Sequence, residues 1–253
     1  MTDDRRQPDP ERDPQVPAES DALANLNASP LNRLPAVVWL LLLVLVGIEA
    51  VLQLAALGIV GGAQGIGWRI EAIQRYGYSS SIQDWMLRNG VYSPLHLVRY
   101  VTFSFIHISL LHALFAVVLI AALGKAVAEA FGALRFLVLA LVVPAVAAAI
   151  FGQAVGTVQN GWLIGAMPMA FALVGGFTWL KWEQAAGDPG KQRRAFAMIG
   201  LLLVARLAFG LIAEAGPGWI AEVAAFAVGF GLSATLLGPG RWQALRARLL
   251  KRG

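Results

Sequence analysis

The sequence has no cysteine. Disulfide scaffolds, thiolate metal sites and cysteine nucleophiles are therefore excluded. Charge is scarce as well: 14% of residues are charged, against about 25% in soluble globular domains. There is too little polar surface to cover a water-soluble globule. Alternating short strands, the mark of a membrane β-barrel, are also missing. In their place, 58% of the 253 residues are hydrophobic and the mean hydropathy is +0.65. That hydrophobicity rules out a wholly disordered chain. The length suits about six membrane-spanning helices joined by short loops.

Residues 1–33 are polar, of mixed charge and interrupted by Pro8, Pro10, Pro14, Pro17 and Pro30. Such a segment buries too little apolar area to offset its ordering entropy, so it is expected to be a disordered tail. Arg5 and Arg6 are not followed directly by an apolar run, which argues against a twin-arginine export signal. The first apolar run starts at Pro35, a residue tolerated in a first helical turn, and is too long for a cleaved signal peptide. Apolar runs lie at about 35–60, 104–124, 133–155, 162–182, 195–214 and 219–238. In hydrocarbon each must satisfy its own backbone, and so each is expected to be a helix. The chain is thus read as all-α: a membrane domain over 34–238 and a basic tail over 239–253.

The charges have a sidedness. Lys125 and Arg135 lie between the second and third runs. Lys181, Lys191, Arg193 and Arg194 lie between the fourth and fifth. The tail adds Arg241, Arg246, Arg248, Lys251 and Arg252, whereas 156–161 and 215–218 carry no Lys or Arg. The positive-inside rule then places both termini in the cytoplasm. The long first loop, 61–103, departs from the pattern with Arg69, Arg75, Arg88 and Arg99, but long loops guide orientation less than short ones. Its Trp68, Tyr76, Tyr78, Trp85, Tyr92 and Tyr100 predict short amphipathic helices in the outer interface. The glycine-rich run at 61–67 lacks the flanking strand and Lys-Ser/Thr ending of a phosphate loop, and is expected to be a flexible exit from the first span. The net charge of +5 is accounted for by topology and an anionic leaflet, with no basic, aromatic-lined face for nucleic acid.

One stretch carries more. Arg99-Tyr100-Val101-Thr102 is followed by Phe105-Ile106-His107 and then His112; Gly124 to Phe136 reads GKAVAEAFGALRF. This resembles the rhomboid family of intramembrane serine proteases. There an Arg-x-x-Thr stretch leads to two histidines five residues apart and an Asn four residues later. The resemblance covers about 35–238 and implies a six-transmembrane-helix bundle with a long outer first loop. It also implies that Arg99, His107 and His112 anchor that loop around the site.

Rhomboids place their serine nucleophile in Gly-x-Ser-Gly at the start of the fourth span. Here that stretch is Gly165-Ala166-Met167-Pro168, with Phe171, Ala172 and Gly175 fitting the positions that follow. Met167 stands where the serine is expected, and a thioether cannot form an acyl-enzyme. The family's general-base histidine falls at Glu222 and its oxyanion Asn at Ala116. Val98 replaces the Trp before Arg99, and Ala128, beside Glu129, replaces a family Glu. With nucleophile, base and one oxyanion donor all replaced, the resemblance implies the scaffold without its proteolysis.

Other residues could carry chemistry. Ser104 and Ser109 flank His107, but Ser109 suits a helix cap. Ser233 and Thr178 lie toward the opposite ends of their spans. His107 and His112, on one helix, would point about 140° apart, which disfavours a shared metal. No cofactor or metal is expected. Intramembrane charges need partners, so an Arg206–Glu222 pair is expected, with Glu49 competing. Ala221, Ala225 and Gly229 recur every fourth residue and should pack closely against Gly175, Gly176 and Ala172 of the fourth span.

The resulting expectation is a proteolytically inactive rhomboid that contacts the lipid bilayer and handles transmembrane client proteins, as the derlins and similar relatives do. An active intramembrane protease using other residues is the alternative. A small transporter or channel lined by Arg206, Glu222 and Glu49 ranks after it, for want of an inverted repeat. The absence of an organelle signal associates the chain with a bacterial inner membrane.

Overall fold

A computed structural model describes residues 34–156, 161–197, 199–202, 204–205 and 216–237, and they are mostly helical. The expected tails and most of the expected fifth span, Arg206 included, lie outside the described residues.

Helix α1, Ala36–Ala56, buries Val38, Leu41, Leu42, Leu45, Glu49, Leu52 and Ala55. These recur at three- and four-residue steps and form one stripe. Leu40, Leu43, Val46 and Val51 on the other side are exposed, as suits a helix with lipid on one face. Glu49 sits on the protein-facing stripe, where an intramembrane carboxylate belongs.

A lobe of short helices follows: α2 (Gly62–Gly65), α3 (Trp68–Tyr76), α4 (Ser80–Asn89), α5 (Pro94–Leu97) and α6 (Arg99–Thr102). Within the 61–67 run, α2 forms a single helical turn. Gly61 takes φ +74° and starts α2, because the chain must reverse tightly there and only glycine adopts that conformation without strain.

Helix α7, Leu110–Phe131, starts later than the apolar run suggests. Phe103–Phe105 form a 3-10 turn and Ile106 is extended; Ser109 then caps α7, its hydroxyl accepting the His112 N–H at 3.3 Å. The helix runs on past Lys125 and Glu129, good helix formers, until Gly132 turns it out at φ +82°. Helix α8, Ala133–Val155, contains a π turn at Val138–Val142. The turn lies just before Pro144, which has no N–H to give and crowds the carbonyl four residues back. Among the described residues α1, α7 and α8 are long and apolar enough to cross a membrane.

Helix α9, Met167–Gln184, begins after the expected 162 because Trp162 and Leu163 pair antiparallel with Ser79 and Tyr78. It is buried on nearly every side through 168–176, which makes it the central helix. Helix α10, Pro189–Arg194, is short; α11, Trp219–Leu232, continues into a π turn at Ser233–Leu237. Helices α9 and α11 meet through glycine. A Cβ on Gly229 would lie 2.5 Å from the Ala172 carbonyl oxygen, and one on Gly175 would strike the Phe226 carbonyl. Ala221 and Ala225 are fully buried.

Candidate functional site

His107 lies in the extended stretch before α7 and is fully buried. Its Nε2 accepts the backbone N–H of Ala166 at 3.2 Å. One residue earlier, the Gly165 N–H donates to the Phe103 carbonyl at 2.8 Å. The turn entering α9 is thus held by backbone and imidazole of the preceding segment. Gly165 has φ +98°, and a Cβ there would come within 2.5 Å of the His112 ring. No side chain fits between that turn and His112.

The two histidine rings meet edge to face, 5.5 Å between centroids. The helical-wheel expectation that they diverge is corrected: His107 precedes the helix, so the two are not on one wheel. Burial, and then the charges of His112 and Arg69, push His107 down to about 4. It is a neutral imidazole at ordinary pH. Since Nε2 accepts, its proton sits on Nδ1. Among the described residues no cluster of three His, Asp or Glu could hold a metal ion.

Met167 opens α9 and Glu222 sits in the first turn of α11. Together with His112, Ile108, Trp162 and Pro168 they line a cavity of about 210 Å³. Glu222 is buried. The described lining residues include no Ser, Thr or Tyr. Ala116, one turn along α7 from His112, is fully buried. The cavity therefore offers a carboxylate, an imidazole and a thioether, and no hydroxyl to attack a carbonyl. Glu222 can take up or release a proton, and His112 can donate or accept a hydrogen bond.

The lobe of α2 to α6 is tied down by hydrogen bonds. Arg99 Nη1 donates to the Gly77 carbonyl at 2.9 Å, and Thr102 donates to the Tyr76 carbonyl at 2.8 Å. Gln83 Oε1 accepts the phenols of both Tyr78 and Tyr100 at 2.7 Å, while its amide donates to the Ala149 carbonyl at 3.1 Å. Phe171 is buried in α9. Ser104 is buried with no hydrogen-bond partner, as are the hydroxyls of Thr178 and Ser233. Thr178 and Ser233 each lie eleven residues beyond Met167 and Glu222, about 16 Å along a helix.

The ion pairs differ from expectation in one respect. Glu49 is occupied by Arg69, whose sequence position shows only a loop charge. Arg69 Nη2 meets Glu49 Oε1 at 2.8 Å and Nη1 meets Oε2 at 3.1 Å. The expected Arg206–Glu222 pair has one member outside the described residues. Nothing in the sequence separates Arg69 from Arg75, Arg88 and Arg99 of the same loop.

A family model described as Rhomboid domain matches residues 94–239, from α5 to beyond α11. No curated protein matches the chain.

Proposed function

From the premise that the chain belongs to the rhomboid family and is an integral membrane protein, we propose that it is a pseudoprotease that binds transmembrane client proteins. The observation that carries this reading is the cavity shared by Met167, Glu222 and His112. The positions that the resemblance assigns to nucleophile and base, Met167 and Glu222, share one cavity, and a thioether there cannot form an acyl-enzyme. Glu222 has no hydroxyl to deprotonate, and Ala116 has no amide to hold an oxyanion.

In this reading the bundle has six spans, the fifth at 195–214, with both termini cytoplasmic and the lobe from α2 to α6 at the outer interface of a bacterial inner membrane. The close α9–α11 packing supports a rigid scaffold, on which a client helix docks beside the lobe. An Arg206–Glu222 pair would hold the cavity's carboxylate.

The test is cleavage. The purified protein, in detergent and in liposomes, is offered a transmembrane model substrate and a fluorophosphonate probe, with an active rhomboid alongside. The expected result is neither cleavage nor labelling while the control reacts. Labelling that maps to a serine such as Ser104 or Ser109 would overturn the proposal and make this an enzyme.

A further inference from the structure

We infer that Arg69 is a positioning residue for the cavity, fixing His107 and, through it, the turn carrying Ala166 and Met167 against α1. Its guanidinium serves three residues at once. Besides the paired bonds to Glu49, Nη2 donates to Gln53 Oε1 at 3.2 Å and Nη1 donates to the His107 carbonyl at 2.6 Å. The Glu49 side chain is 4% exposed and the Arg69 side chain 15%, so the pair is largely withdrawn from solvent. Charge-assisted bonds of this kind are short and strong. Glu49 and Gln53 are rigid anchors on a long helix. The third ligand, the His107 carbonyl, belongs to a segment with no regular structure of its own.

The chain of contacts is short. Helix α1 holds Arg69, Arg69 holds the His107 carbonyl, and His107 Nε2 holds the Ala166 N–H. Met167 is the next residue. Only a planar fork with several N–H donors serves a carboxylate, an amide and a carbonyl together; a lysine ammonium can keep the ion pair but not this arrangement. The inference concerns the shape of the cavity and not its occupant, so it does not depend on client binding.

The cysteine-free chain makes the test clean. Met167→Cys supplies a single thiol, and its rate of alkylation by a water-soluble maleimide reports how firmly the turn is held. In that background Arg69→Ala and Arg69→Lys are expected to raise the rate about tenfold, as when a charge-assisted hydrogen bond no longer holds the closed arrangement. The exchange Glu49→Arg with Arg69→Glu restores the ion pair and thermal stability. It also sets a carboxylate against the His107 carbonyl, so labelling should stay fast. A merely structural pair predicts that the exchange restores slow labelling along with stability. That result, or a folded Arg69→Lys protein labelled at the parental rate, would overturn the inference. Should Arg69→Ala fail to fold, Arg69→Lys and the exchange decide. Absence of client binding would leave these rates unchanged, so the two ideas fail separately.

Discussion

The backbone N–H of Ala166 donates to Nε2 of His107 across 59 residues of sequence, at 3.2 Å. The bond needs an unprotonated Nε2, and burial keeps it so by holding His107 down to about 4. Protonation would turn the acceptor into a second donor facing the Ala166 N–H, in a position that water does not reach.

Stability should therefore fall on acidification. Between the ordinary histidine value of about 6.5 and the folded value of about 4, the unfolded chain binds a proton that the folded chain refuses. Stability from this group is complete above about 6.5 and declines as pH falls toward 4, by up to about 3 kcal/mol. Thermal unfolding in detergent at pH 7 and pH 5 measures it. His107→Gln keeps an acceptor that does not titrate and should flatten the dependence; an equal acid loss in both proteins would exclude His107 as the group.

Restoring the family's chemistry should take more than one change. Met167→Ser alone is expected to stay inert to fluorophosphonate, because in the proposed reading neither Glu222 nor His112 serves it as a general base. Met167→Ser combined with Glu222→His should label, since both positions line one cavity. Labelling of the single variant would show that Glu222 or His112 already serves as a base.

The α9–α11 contact should tolerate no added methyl. Gly229→Ala drives a Cβ into the Ala172 carbonyl and is expected to cost about 1–3 kcal/mol through forced separation of the helices. Gly231→Ala, two residues on, meets nothing within 4 Å and should be close to neutral. Thermal unfolding of the two proteins side by side gives the comparison; similar losses would mean that helix separation is not the cause.

Gln83 should matter more than its place in a short helix suggests. Gln83→Leu leaves the Tyr78 and Tyr100 phenols and the Ala149 carbonyl without their partner, an expected loss of about 2 kcal/mol or more. Burial raises both phenols, Tyr78 the more, so they remain neutral donors. Gln83→Leu made in a Tyr78→Phe, Tyr100→Phe background should cost less, since no phenol is then left unpaired. If Gln83→Leu costs the same in both backgrounds, the phenols are not what Gln83 holds.

The helices that depend on run length were legible in the sequence; the segments that depend on distant partners were not. Helices α1 and α8 lie where unbroken apolar runs put them. The stretch Phe103 to Ser109 mixes Ser104, His107 and Ser109 with four apolar residues, and it leaves the helix so that His107 can reach Ala166 and Ser109 can cap α7. Periodicity along the chain does not register a bond to residue 166. The resemblance implies one site for Met167, Glu222 and His112, and the three line one cavity. Arg69 was not foreseen, because a charge in a loop does not reveal whether it faces water or a buried carboxylate twenty residues earlier.

The π turn at Val138–Val142 sets how α8 can change in length. A wide turn holds one residue more than an α-turn needs, so the backbone there carries slack that the rest of the helix lacks. Removing a single residue from that segment would let it tighten into ordinary helix, with the flanking residues still on their present faces. The same deletion one turn past Pro144 would rotate everything beyond it by about 100° and carry Phe151 away from Tyr78. The helix thus has one place where a residue can be lost without reorienting its neighbours.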